Sequence, residues 1–460
     1  MDLSSAPSER APAEHALRAD ALGLGESVIM GVAGSGPAYS VAVSTVSLVG
    51  AVGVLAPASL FYCGVVMFGV VFAFRHLNRV EVNAGATYAW VSSVFSPALG
   101  FFTGWSVIVG SVLFMVSGTL PAATGTLQIF APGLVDNQTA VTLVAAGWLI
   151  AIGGIVAKGI KLTSYTQIAF TVVEAGVLAL LIAIAAFRPD LASARPVSFG
   201  WFVGAGMTPS LFTSGALVAL FALSGWDVTV NLNEETRDGG RLAGLGSLLA
   251  VVAIIALLTG FAALALAVLS DAEIKSAGIN IVFVVAGRLL PAPWSYLAVI
   301  AVMLSTVGTL ETSILQFTRT MFAMGRDGAL HGRYARLHPH YQTPLLATVI
   351  ITVLGLALLF LSSYLPGIKA VIDDSISAIG FQIAFYYGIG GLACAWYFRG
   401  AARKSAGNFI FLFAWPLFGA GFCIFIAADS IPTFDLTTNI VGIGTIAIGI
   451  VPYVLRRLRG

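Results

Sequence analysis

Twelve runs of mostly apolar residues, each close to the ~20 residues that a helix needs to cross a bilayer, constrain this chain more than any other feature. They fall at 26–50, 52–74, 98–123, 139–159, 163–187, 209–233, 244–270, 293–318, 343–363, 370–398, 406–428 and 436–455. Only 10% of residues are charged and 58% are apolar, against roughly 25% charged in soluble proteins. A water-soluble enzyme is therefore excluded. The net charge of +2 offers no basic face, so no nucleic acid is expected as partner. The expected fold class is an all-α polytopic membrane protein with the lipid bilayer as its surroundings.

The basic residues set the orientation. With the N-terminus inside, 18 of the 23 Lys and Arg fall in cytoplasmic segments, and only Arg188, Arg195, Lys275, Arg288 and Lys369 fall outside. This asymmetry puts both termini in the cytoplasm. Residues 1–25 are polar and read as a cytoplasmic tail. The first apolar run is too long and Gly-rich for a cleaved signal, so none is expected. The segments 76–100 and 271–290 are too polar to cross lipid and read as interfacial helices or gating loops. Cys63, Cys394 and Cys423 sit in apolar runs without metal-ligand spacing. No metal or cofactor is expected.

Two spans carry helix-breaking residues. Span 1 contains Gly31, Gly34, Ser35, Gly36 and Pro37; span 6 contains Ser224, Gly225, Trp226 and Asp227. Unpaired backbone at membrane depth survives only where it lines a cavity. Two interrupted spans, five apart, mark an inverted repeat with a substrate site at the breaks.

Ionisable groups inside spans are the next signal, because lipid makes them costly. Glu174 lies in span 5, Asp227 at the second break, Glu311 in span 8, and Asp373 and Asp374 open span 10. The last two also suit a helix N-terminus. With span 8 ending at 318, no Lys or Arg lies deep in any span to neutralise the acids, which leaves a cavity attractive to cations or protons. No nucleophile–base, zinc-protease or nucleotide-binding motif accompanies them, so a transporter is expected rather than an enzyme.

Four stretches together resemble the amino acid–polyamine–organocation (APC) superfamily of permeases. They are GVAGSGPAYS from Gly31, NAGATYAWVSSVFSPALGFFTGW from Asn83, SGWDVTVNLNEET from Ser224 and FTRTMFAMGRDGAL from Phe317. The resemblance implies a LeuT-type fold. Repeat one is 26–187 and repeat two 209–398, together the transport core 26–398, and 399–460 adds two accessory helices and a short tail. It implies a secondary active transporter of a small amine or amino acid in the plasma membrane (a bacterial inner membrane), as a monomer or weak homodimer. The substrate would meet Ala33, Gly34, Ser35, Gly36 and Ala38 at the first break, and Phe221, Ser224, Gly225, Trp226 and Asp227 at the second. Glu174, Asp227 and Glu311 would couple transport to H+ or Na+. Tyr88 and Tyr386 would gate, with Tyr387 a further aromatic of the lid. Two departures matter. Some proton-coupled members have a lysine where this chain has Glu174, and a glutamate cannot imitate a cation. Pro37 has no N–H, which weakens the cradle that holds a substrate carboxylate in amino-acid carriers. Glu174 could carry a proton, bind sodium or hold a substrate amine, and the weaker anion site at Pro37 beside Asp227 favours an amine without a carboxylate.

Overall fold

A computed structural model describes residues 16–191, 194–364 and 368–458. In chain order the helices before the second break are α1 (Leu24–Ser35), α2 (Pro37–Val52), α3 (Ala56–Val80), α4 (Thr87–Val94), α5 (Pro97–Ser117), α6 (Thr119–Phe130), α7 (Gln138–Ala157), α8 (Ile160–Phe187), α9 (Gly200–Val203) and α10 (Pro209–Ala222). After it come α11 (Val228–Asn231), α12 (Gly239–Val268), α13 (Asp271–Ala277), α14 (Ile281–Leu289), α15 (Tyr296–Arg326), α16 (Leu345–Ser362) and α17 (Ile368–Phe398). The rest of the chain is α18 (Ala406–Asn408), α19 (Trp415–Ser430), α20 (Leu436–Asn439), α21 (Thr445–Ile448) and α22 (Ile450–Arg457), with π-helical segments at Phe409–Ala414 and Ile440–Gly444. Helix is the form expected where no water can satisfy the backbone.

Among the described residues, ten helical stretches are long and apolar enough to cross a membrane. The sequence reading counted twelve runs, and the difference has a local cause. The first two runs form one stretch, Leu24–Val80, and the sixth has only the 14 helical residues of Pro209–Ala222 before it unwinds. Proline at the first turn and a hydroxyl N-cap start α5 and α10: Ser96 accepts from the Leu99 N–H, and Thr208 from the Leu211 N–H. Both devices match the orphan donors of a helix start. The polar segment after α3 holds α4, and α13 and α14 occupy the other polar connection. The side chains of Asp373 and Asp374 lie outside the described residues.

Small residues bring the central helices together. A side chain at Gly246 of α12 would collide with Ser27 of α1, and one at Gly31 of α1 with Ala250 of α12. Such close approach gives van der Waals contact where lipid supplies no hydrophobic drive.

One charge placement differs from the expectation. α15 continues past residue 318, and Arg319 is fully buried within it. Arg319 Nε and Nη2 both donate to the Glu235 carboxylate at 2.8 Å, and Nη1 donates to Thr318 Oγ1 at 3.1 Å. A basic residue therefore does lie deep in the helix bundle, but Glu235 takes its charge rather than Asp227, Glu174 or Glu311. The backbone beside this pair is also tied. Ala21 and Leu22 donate their N–H groups to Glu235 O, and Arg237 N–H donates to Leu22 O.

Breaking a buried ion pair from one side strands a charge, at about 3–5 kcal/mol, whereas replacing both partners with apolar groups is often neutral. Arg319→Met and Glu235→Met are thus each expected to lower the thermal unfolding temperature in detergent. The double variant should lie closer to wild type than either single one.

Candidate substrate and coupling site

The two interrupted helices meet backbone to backbone. α1 ends at Ser35, Gly36 turns left-handed (φ 54°, ψ 73°), and α2 starts at Pro37. Across from it, Gly225 has φ 89° within the non-helical stretch between α10 and α11. A Cβ at Gly34 would land on Gly225 O, and one at Gly225 on Gly34 O. Neither position has room for a side chain, and Gly225 holds a conformation that L-residues rarely adopt.

Hydroxyls replace the missing helical partners. Ser35 Oγ donates to Ala222 O at 3.0 Å, Thr309 Oγ1 to Ala33 O at 2.9 Å, Ser40 Oγ to Ser35 O at 2.7 Å and Ser224 Oγ to Phe221 O at 2.6 Å. The donors at the second half of the broken helix are also engaged. Gly36 N–H goes to Val32 O at 2.9 Å, Pro37 has none, and Tyr39 N–H goes to Ser305 Oγ at 3.0 Å. Ala38 N–H makes a long bond, 3.4 Å, to Glu174 Oε2. The Ser305 hydroxyl lies near the same carboxylate. Glu174 therefore lies beside the first break, at the start of α2.

A cavity walled by both hydroxyl-bearing and apolar residues, Val107, Phe114, Ile379 and Ile383 among the latter, opens at the breaks. Gly34, Ser35, Phe221, Ser224, Gly225 and Tyr386 line it, together with Gln316, Ser313 and Tyr39. Ala33, Gly36, Ala38, Trp226 and Asp227 are not among its lining residues. Trp226 is fully buried and packs its ring against Phe74 and Tyr387, with centroids 5.5 and 5.3 Å apart. Asp227 is buried and receives three donors: Gln316 Nε2 at 2.6 Å, Tyr387 Oη at 2.7 Å and Tyr386 Oη at 3.1 Å. Two of those donors, Gln316 and Tyr386, are themselves in the cavity wall, so Asp227 sets the orientation of groups that face the cavity.

Glu311 is apart from this cluster. It is fully buried and accepts from Gln167 Nε2 at 2.7 Å and from Thr166 Oγ1 at 3.0 Å. Tyr88 is not brought near Tyr386. It lines a second hollow with Glu81, Asp327 and Arg456. Burial pushes the Glu81 and Asp327 carboxyls above their ordinary range, and Arg326 partly opposes this at both.

The reading from residues missed Ser305, Thr309 and Gln316 on α15 and Gln167 on α8. A signal was available: Ser305, Thr309, Thr312 and Gln316 recur at spacings of three and four, which is one face of a helix. Only the acids were sought there.

With this geometry in hand, comparison with known proteins is informative. The amino acid permease family matches residues 25–452. The chain belongs to that family. It is thus an APC-superfamily permease. It is 24% identical over 316 residues to the low-affinity putrescine importer PlaP of Escherichia coli, covering 65% of this chain and 66% of that protein. It is 25% identical over 319 residues to the serine/threonine exchanger SteT of Bacillus subtilis, covering 66% of each. Over 287 residues it is 24% identical to the human Asc-type amino acid transporter 1, covering 60% of this chain and 53% of that one. The permease chain matches slightly under two thirds of the length of the two bacterial relatives and about half of the human one.

The contact between Gly34 and Gly225 yields a direct test. Gly225→Ala should separate the two breaks and abolish ligand binding, as read by calorimetry. The helical circular dichroism signal should persist, because the helices themselves are untouched.

Proposed function

We propose that this permease is a secondary active transporter that moves a small organic amine across the bacterial inner membrane by alternating access, coupled to protons. In this reading the chain crosses twelve times with both termini in the cytoplasm. α1–α2 and α10–α11 are the interrupted first and sixth spans of a LeuT-type pair of inverted five-span repeats. The 18-to-5 distribution of Lys and Arg supports the orientation.

The observation that carries the substrate class is the state of the donors at the start of α2. A helix N-terminus is a ready anion site because its first N–H groups lack partners. Here Pro37 removes one, Ser305 takes another and Glu174 sits on a third. A substrate carboxylate would find no free donor and an acid already in place. For an ionised Glu174 at ~6 Å and an effective dielectric of about 20, the repulsion is roughly 2–3 kcal/mol. That corresponds to ~30- to 150-fold in affinity. The cavity wall instead offers hydroxyl and carbonyl oxygens, and α10 ends there with its negative dipole end. These groups suit an ammonium. The relative that imports putrescine is in keeping with an amine. The amino-acid carriers among the relatives keep an amino-acid substrate as the second reading.

Calorimetry on the purified permease distinguishes them. Putrescine and cadaverine are expected to bind at least ~10-fold more tightly than ornithine and lysine, a difference of about 1.4 kcal/mol. Tighter binding of the amino acids would overturn the amine reading.

Coupling is assigned to Glu174, a fully buried acid beside the first break with no basic partner among the described residues. Glu174→Gln should abolish accumulation driven by a proton gradient in proteoliposomes and leave exchange in place. Unchanged concentrative uptake at every pH would remove Glu174 from coupling.

A further inference from the structure

A buried polar seam between α8 and α15 lies outside the substrate cavity. Thr163, Gln167, Thr171 and Glu174 recur every three or four residues, so they share one face of α8, and all four are buried. Glu311 of α15 meets Gln167 at one end. Glu174 stands at the other, seven residues and therefore about 10 Å farther along α8. Between the two acids, Gln167 Oε1 and Thr171 Oγ1 are buried without a hydrogen-bond partner. The carboxamide of Gln167 has committed its Nε2 to Gly308 O at 2.8 Å and to Glu311 at 2.7 Å. A Cβ at Gly308 would come within 2.9 Å of Gln167 Oε1, so a glycine keeps the space beside the unpaired acceptor open.

Buried polar atoms in proteins are nearly always paired. An amide oxygen without a donor and a hydroxyl without any partner, placed between two carboxyl groups, mark a gap in a hydrogen-bonded chain. We propose that Glu311 and Glu174 are two stations of one proton route, joined through Gln167 and Thr171. This deepens the proton-coupled reading above and rests on it. A proton leaves the Glu311 carboxyl, crosses on water hydrogen-bonded to Gln167 Oε1 and Thr171 Oγ1, and protonates the Glu174 carboxylate. Glu311 is left ionised and takes its next proton from the aqueous side.

The donor set favours a proton over sodium. The Glu311 oxygens already face Gln167 Nε2 and Thr166 Oγ1. A sodium ion needs a shell of free oxygens, whereas a proton needs one remaining lone pair. No other charge competes. On α15, Arg319 is held by Glu235. At the start of α8, the Lys161 ammonium donates to Ala21 O. Asp227, beyond the second break, is bound by Gln316, Tyr386 and Tyr387. Arg288 of α14 pairs with Glu273. α1 carries only Glu26, bonded to Gly23 N–H, and α12 only Arg241 in its first turn. α2 contributes Tyr39, whose ring packs edge-on to Phe114; α5, α6, α7 and α16 carry no charged residue.

Infrared difference spectroscopy between acid and alkaline pH tests the route on the full-length protein without any substrate. Glu311→Gln should remove one carboxylic-acid carbonyl band. Glu174→Gln should remove another and displace the band that remains. Thr171→Val, nearly isosteric and expected to fold, should keep both bands but abolish that displacement. A spectrum unchanged by Glu311→Gln, a Glu311 band indifferent to Glu174, or a displacement that survives in Thr171→Val would each overturn the route. A spectrum that instead responds to sodium at constant pH would replace it with a cation site. Because putrescine and ornithine binding is measured separately, the expected spectra without amine binding would refute the substrate reading and leave the route standing.

Discussion

Every broken stretch of backbone in this permease must find its hydrogen-bond partners without water, and most of the site follows from that demand. The carbonyls released at Ala33, Ser35, Phe221 and Ala222 are met by hydroxyls from Thr309, Ser40, Ser224 and Ser35. The serines and threonines that crowd the breaks therefore serve first to keep the unwound segments intact. Their remaining lone pairs then become the wall of the cavity. The same atoms thus tie the backbone and supply the polar part of a cavity whose lining carries no charged side chain.

Charge is kept in separate compartments. Arg319 and Glu235 neutralise each other by a two-point contact. Asp227 has no cationic partner among the described residues and is held by three neutral donors. Such bonds to a carboxylate are worth about 1.5–3 kcal/mol each, enough together to hold an acid in place without a counter-ion. Glu174 and Glu311 have fewer or longer bonds, as the proton exchange proposed for them requires. The differing surroundings of these acids separate their roles more than their shared chemistry does.

Much of this was legible in the residues. The breaks at Gly36 and Gly225 follow from glycine and proline where lipid demands helix, and the position of Glu174 beside the first break follows from the cost of an acid in hydrocarbon. Arg319 was misplaced because hydropathy ends a span at the first charge, whereas a paired arginine can continue a helix through protein interior. Asp227 was legible as an acid at the second break but not as set behind the wall, since the donors that hold it come from residues 316, 386 and 387, about 90 to 160 positions away in sequence. The polar face of α15 was overlooked because serine and threonine are common in such helices and become informative only by their spacing.

The bond between Glu174 and the Ala38 N–H also bears on how such carriers diverge. The start of α2 presents the positive end of a helix to position 174. A lysine introduced there alone would face like charge, donor against donor, although a single nucleotide separates the two codons. Passage between an acidic and a basic coupling residue would require the break to be rebuilt as well, with Ser305 or Pro37 changing alongside. A neutral glutamine is the natural stepping stone, and under the proposed coupling role it would cost the carrier its drive while the other positions adjust. If Glu174 drives coupling as proposed, lineages with opposite charge at this place would be divided by a valley in fitness, even where their folds superpose.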